Sequence, residues 1–220
     1  MPSQVERNAR LAEREQMILQ QVAERGVRNP MVLDALRAVP REWFVSDGLM
    51  NRAYSDEALQ SDCGQTISQP YMVGYMTELL EPGPDKRVLE VGTGTGYQTA
   101  VLSQLVARVY SIEWYLKLMR VAAERLERLN LRNVTFRCGD GSRGWAEEAP
   151  FDGILVAAGG PDVPKAMTDQ LAPGGILVMP VGDQSDQTLV RVRRVGRNLE
   201  RENVLGCRFV RLRGQFGWDG

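Results

Sequence analysis

The chain has 220 residues, a net charge of −1 and no histidine; this length suits one well-buried core and is short for two, and the near-zero charge argues against a nucleic-acid partner held by bulk electrostatics. Without histidine there are no His triads, His metal sites or His general bases, and the three scattered cysteines Cys63, Cys138 and Cys207 form no C-x-x-C and no disulfide framework, so free thiols and no metal are expected. No apolar run reaches membrane-spanning length and no hydrophobic signal region follows Met1-Pro2-Ser3-Gln4-Val5-Glu6, so the expectation is a cytoplasmic protein without a membrane partner.

Residues 4–25 read as helix, with Leu11, Ile18 and Val22 at helical spacing among charged residues, and Gly26 stops it. Asn29-Pro30 reads as an N-cap followed by Pro at the first helical position of a second short helix, which Pro40 ends. Trp43, Phe44 and Val45 form an apolar anchor for these helices. Residues 46–64 look irregular and polar. Gly64-Gln65-Thr66-Ile67-Ser68-Gln69-Pro70 then leads into a helix over Tyr71–Leu80; on composition Ser68 is a cap ahead of Pro70.

Glu81-Pro82-Gly83-Pro84 is a breaker cluster, and beyond it strand and helix alternate. Strands are predicted over Val88–Val91, Arg108–Glu113, Asn133–Arg137, Phe151–Ala157 and Ile176–Pro180. Helices are predicted over Tyr97–Leu105, Leu116–Leu129 and Pro164–Leu171. Continuous apolar strands separated by helices indicate a parallel sheet covered on both faces, with ligands at the carboxyl ends of its strands. After Gly182, Thr188–Val195 and Leu205–Arg213 alternate at period two and read as a closing hairpin at the sheet edge. The run Arg191-Val192-Arg193-Arg194 reads as a solvated strand face, because valine interrupts it.

The strand Val88–Val91 runs into Gly92-Thr93-Gly94-Thr95-Gly96. Such a turn lets backbone N–H groups and a helix N-terminus approach a ligand with no Cβ in the way. The spacing is G-x-G-x-G, not the G-x-G-x-x-G of dinucleotide folds. Glu90 stands two positions before the first glycine, and a second acid, Glu113, ends the next strand 23 residues on. This pattern resembles that of the S-adenosylmethionine (SAM) methyltransferases.

A more specific resemblance covers roughly residues 15–213. Gly64–Val73, Val39-Pro40-Arg41-Glu42 with Phe44-Val45, Gly94–Ala100, Gly139-Asp140-Gly141 with Gly144-Trp145, Ala149–Asp152, and Gln170-Leu171 with Gly174-Gly175 and Pro180-Val181-Gly182 are similar, in order, to the protein-L-isoaspartate O-methyltransferases. Two stretches differ from the family's usual Leu-Pro-Ile-Gly and Phe-Val-Pro-Leu: Leu59-Gln60-Ser61-Asp62-Cys63 and Phe209-Val210-Arg211-Leu212.

The resemblance implies an α/β, Rossmann-like SAM-methyltransferase fold, a mostly parallel seven-stranded sheet flanked by helices with an N-terminal helical extension. One domain over 1–220 is expected, with helices and active-site loop in 1–81, cofactor core in 82–182 and closing strands in 183–220. It implies methylation of the free α-carboxylate of isoaspartyl residues, the ester then collapsing to a succinimide that reopens partly to aspartate. SAM would be the cofactor and S-adenosyl-L-homocysteine its product; the partners would be isoaspartyl proteins and peptides, met by a monomer. Glu90, Gly92, Thr93, Gly94 and Gly96 would hold the methionine half of SAM, Glu113 the ribose, and Asp140-Gly141 the adenine. Gln65, Thr66, Ile67 and Ser68 would close over it, with Ser68 as the active-site serine. A relative acting on one dedicated peptide or small carboxylate, or a silent SAM-binding module, are the alternative readings.

Overall fold

The structure, a computed structural model, describes residues 4–218. Helix α1 (Gln4–Gln16) runs on as a π-helical stretch over Met17–Ala23. Helix α2 (Pro30–Ala38) starts as expected, the Asn29 side chain accepting from Met31 N–H at 3.0 Å with Pro30 at the first position. These segments are tied by a buried polar group. Arg14 donates to Tyr54 Oη at 3.0 Å and to Arg37 O at 2.7 Å, and the Tyr54 hydroxyl donates to Glu42. Phe44 is wholly buried, but Trp43 is 51% exposed, so the anchor is Phe44-Val45 without the indole. One turn of 3-10 helix over 41–44 sends successive side chains to different sides.

The stretch expected to be irregular holds the first strand of a hairpin whose second strand lies in the segment that follows it. Strands β1 (Leu59–Gln60) and β2 (Thr66–Ile67) pair antiparallel, Leu59 opposite Ile67 and Gln60 opposite Thr66. Its loop closes through Ser61 N–H to Gln65 O at 2.8 Å and Gln65 N–H to Asp62 O at 3.1 Å. Two-residue strands carry no readable period, which is why sequence pattern does not find them. Helix α3 (Pro70–Leu79) follows.

The rest is the alternating unit: β3 (Arg87–Val91), α4 (Tyr97–Ser103), β4 (Arg108–Glu113), α5 (Leu116–Arg128), β5 (Val134–Cys138), β6 (Phe151–Val156), α6 (Lys165–Thr168), β7 (Leu171–Gly182), β8 (Gln187–Val195) and β9 (Asn198–Cys207). The seven-stranded sheet has the order β5-β4-β3-β6-β7-β8-β9. The first five of these are mutually parallel, β8 pairs antiparallel with β7, and β9 pairs antiparallel with β8. Successive residues point to opposite faces: Val88, Val109, Leu155 and Val178 pack with the N-terminal helices, α3 and α4, while Leu89, Ile112, Ile154 and Leu177 pack on the other side with Trp145, Phe151 and Met167. Each such buried side chain contributes roughly 1.5–3 kcal/mol.

Three further expectations are corrected. The helix predicted over Pro164–Leu171 is only Lys165–Thr168, because Leu171 already pairs with Phe151 and begins β7. The second closing strand is Asn198–Cys207, not Leu205–Arg213. It is the sheet's edge, and its first six residues are exposed, so no apolar alternation marks it. The basic run does not stand free in solvent: Arg191 and Arg193 both bind Glu81, Arg191 also donates to Leu79 O at 3.0 Å, and Arg194 donates to Leu171 O at 2.6 Å. No helix among the described residues is long and apolar enough to cross a membrane.

Candidate active site

Strand order reverses at β3, whose parallel neighbours are β4 on one side and β6 on the other. A cavity opens there, beyond the carboxyl ends of the strands, where such sheets bind ligands. Its floor is the glycine turn after β3, its flanks the exits of β4, β5 and β6. Its roof is β2 with Ser68, facing the segment Phe209–Arg213 that follows β9.

The turn is left-handed at three glycines, φ +94° at Gly92, +53° at Gly94 and +89° at Gly96, which L side chains rarely adopt. Gly92, Thr93 and Gly94 line the cavity. A Cβ on Gly94 would stand 3.9 Å from Thr66 O, so β2 passes close over the turn. Gly96 serves packing instead: a Cβ there would stand 3.0 Å from Ala122 Cβ, against α5, and Gly96 does not line the cavity.

Glu90 also lies outside the lining. It is wholly buried beneath the turn. Its Oε2 accepts from Thr99 Oγ1 at 2.6 Å and Ser111 Oγ at 2.5 Å, and Oε1 is buried with no partner. Burial pushes its carboxyl up to about 8, because the charged form loses its hydration and two hydroxyl donors do not make up the loss. Its place is therefore below the turn, bracing it through α4 and β4.

Glu113 does line the cavity. Its Oε2 accepts from Gly94 N–H at 2.8 Å and its Oε1 from Tyr115 N–H at 2.9 Å. A carboxylate has about four acceptor positions, so two are not taken up by hydrogen bonds from the described residues. Gly141 lines the cavity with Gly139. Asp140 between them is not itself a lining residue; it caps the turn over Gly141–Arg143, accepting from Ser142 N–H at 2.9 Å and Ser142 Oγ at 2.6 Å.

Gln65, Thr66, Ile67 and Ser68 all face the cavity. Ser68 is not the cap of α3; that position is Gln69, and no side-chain cap bond forms. Ser68, Thr66 and Phe209 also line a second, outer groove with Arg25, Tyr71 and Arg208, so these three residues stand between the inner cavity and the outside. Cys63, exposed at φ +57° in the hairpin loop, lines neither space. Burial of Cys207 in the groove wall pushes its thiol up to about 11, which makes it a poor nucleophile.

Sequence reasoning missed several lining residues. The alternation predicts strand through Phe209 and Arg211–Arg213, whereas β9 ends at Cys207 and these residues make an isolated bridge, Gly159 to Arg211. Buried Gln187 holds them, its Oε1 accepting from Phe209 N–H at 2.9 Å. Tyr97 lines the floor, and the buried Arg41 guanidinium lies 4.9 Å from its ring centroid. The Gly206 and Gly214 that bracket residues 207–213 are the signal that could have separated this segment from a strand.

A family model described as protein-L-isoaspartate(D-aspartate) O-methyltransferase matches residues 12–216. A protein-L-isoaspartate O-methyltransferase of Geobacter metallireducens is 50% identical over 206 residues, 93% of this chain and 95% of that one. The one of Parvibaculum lavamentivorans is 53% identical over 190 residues, 85% of this chain and 86% of its own. A solved protein-L-isoaspartate O-methyltransferase superposes with a TM-score of 0.84 at 30% identity, covering 93% of this chain and 67% of that chain. A Plasmodium falciparum structure in complex with S-adenosyl-L-homocysteine has the same fold, with a TM-score of 0.77 at 22% identity over 89% of this chain and 96% of that one. The chain belongs to the protein-L-isoaspartate(D-aspartate) O-methyltransferase family.

Proposed function

We propose that this protein transfers the methyl group of SAM to the free α-carboxylate of L-isoaspartyl residues in damaged proteins, which initiates their repair to aspartate. The observation that carries the reading is the position of Ser68, on the wall shared by the glycine-floored cavity and the outer groove. The residues present fit SAM: a left-handed glycine cradle, two open acceptor positions on Glu113, and the Asp140 carboxylate between two lining glycines.

In this reading Gly92, Thr93 and Gly94 hold the methionine half, Glu113 takes the ribose hydroxyls and Asp140 the adenine amine. Gln65, Thr66 and Ile67 cover the cofactor, while Glu90 and Gly96 support the turn without touching it. SAM supplies a methyl group on a positively charged sulfur. The substrate carboxylate, of pKa near 4, is ionised at neutral pH, so no general base is required and the lack of histidine is no handicap. The chain's task is to set carboxylate oxygen, methyl carbon and sulfur in line and exclude water; positioning of this kind can lower a barrier by roughly 7–11 kcal/mol at most. Ser68 donates a hydrogen bond to one carboxylate oxygen and leaves the other to attack. Ile67 and Phe209 close the path to solvent. The same reading has one methyltransferase domain working as a cytoplasmic monomer on proteins and peptides.

The test is methyl transfer from labelled SAM to a short isoaspartyl peptide beside the same peptide with normal aspartate. Transfer confined to the isoaspartyl peptide is expected. Equal transfer, or none to either with SAM bound, would overturn the proposal.

A further inference from the structure

The segment after Arg213 has no part in the reading above, yet it is built against one of its residues. Gly214 has φ +114°, and a Cβ there would stand 1.9 Å from Asp140 Oδ1. The Gln215 N–H donates to Asp140 Oδ2 at 2.9 Å, and the Phe216 N–H to Ser142 Oγ at 3.0 Å. Trp218 then turns back. Its N–H donates to Leu212 O at 3.0 Å, and its indole Nε1–H to Gly159 O at 3.0 Å. Gly159 is itself laced to the cavity wall, its N–H donating to Val210 O and its carbonyl accepting from Leu212 N–H, each at 2.8 Å. Residues 214–218 therefore tie the exit of β5 to the exit of β6.

This tie fixes how the Asp140 carboxylate is used. Oδ1 accepts twice, from Ser142 N–H and Ser142 Oγ, and Oδ2 accepts once, from Gln215 N–H. Among the described residues, one of about four acceptor positions is left, on Oδ2, and its direction is set by the bond from Gln215. The flanking Gly139 and Gly141 line the cavity, and Asp140 stands at its margin between them rather than in the lining itself.

We propose that Gly214–Trp218 is a base-selectivity strap, which fixes the last acceptor position of Asp140 so that it takes the exocyclic amine of adenine and rejects a 6-oxo purine. The inference rests on the reading of Asp140 as the adenine contact. The physical basis is that an amine donates to a carboxylate, whereas a carbonyl at the same place sets two acceptors against each other and leaves both unpaired. Selectivity of this kind depends on a fixed direction, and a carboxylate free to rotate would lose it.

The experiment is calorimetric binding of S-adenosyl-L-homocysteine and S-inosyl-L-homocysteine to the full-length protein and three variants. The wild type is expected to favour the adenosyl compound by about tenfold or more. Asp140→Ala should bring the ratio near one. Gly214→Ala, whose methyl displaces the carboxylate, and Trp218→Phe, which keeps a ring but removes the donor to Gly159, should each cut the ratio by roughly threefold or more. A variant that merely loosens the fold weakens both ligands alike and leaves the ratio unchanged. A ratio that falls in Asp140→Ala but stays at the wild-type value in both strap variants would overturn the strap and leave the adenine reading standing. No preference in the wild type, or no change in Asp140→Ala, would overturn both. Tighter adenosyl binding by Gly214→Ala would also overturn the proposal, since the strap would then be competing with the cofactor.

Discussion

The glycine turn and the hairpin above it face each other across one cavity, but they are held by different means. The turn hangs from two central parallel strands and is braced from below by Glu90, Thr99 and Ser111, all wholly buried. The hairpin has four residues in strand, and the Asp62–Lys117 ion pair beside it lies at the surface. The difference teaches where each kind of damage should register. Changes under the turn should appear in stability and cofactor binding, and changes in the roof should appear in turnover.

The sharpest test of the lower wall is pH. The Glu90 carboxyl, ordinarily near 4.5, is raised to about 8 by burial. Between these values the folded protein keeps a proton that the unfolded chain has released. Stability is thus fully present below the unfolded value and is lost as pH rises through the folded one, by up to about 1.4 kcal/mol per pH unit. Denaturant midpoints measured from pH 5 to 9 should fall with pH in the wild type. In Glu90→Gln that slope should flatten; an equal slope in both proteins would remove Glu90 as its source.

Ser68→Ala tests the roof. Turnover on an isoaspartyl peptide should drop about a hundredfold, the scale of a lost alignment contact, while the Kd for SAM stays within about twofold because the lower wall is intact. Comparable losses in both would show that the two walls are not separable. A smaller effect is expected for Gly96→Ala, which places a Cβ at φ +89° and 3.0 Å from Ala122 Cβ. About 2 kcal/mol of stability should go, read as a lower Tm; an unchanged Tm would mean that α4 and α5 can separate to accept the methyl. The smallest effect belongs to Lys117→Ala. Its pair with Asp62, 2.7 Å long, is open to solvent at both ends, and such pairs contribute little. Tm and turnover should both stay at wild-type values, and a loss of turnover would reveal that the hairpin depends on this pair.

The same contrast explains what could be read from sequence. The central parallel strands β3, β4 and β6 were legible because they are almost wholly buried and rich in apolar residues, and Arg108–Glu113 was placed to the residue. The glycine turn was legible because left-handed backbone leaves few residue choices. The hairpin was not, since a strand of two residues has no period. Asn198–Asn203 was missed because an exposed edge strand needs no apolar side, and the predicted strand slid toward the apolar Leu205–Leu212. Glu90 shows a finer limit: the motif identified a residue important to the turn but could not tell whether it lies in the cavity or beneath it, because both positions require an acid at the same spacing.

Strand β9 has one more consequence, for how the molecule behaves among its own kind. It ends the seven-stranded sheet, leaving one row of backbone donors and acceptors facing outward, the template on which chains stack edge to edge. Glu200, Arg201 and Glu202 crowd the middle of that row and all are exposed. A second copy adding antiparallel about Arg201 would set each Glu200 opposite the neighbour's Glu202, and like charges directly opposed are destabilising. The featureless polarity that hid β9 from the sequence pattern is thus a barrier to self-association.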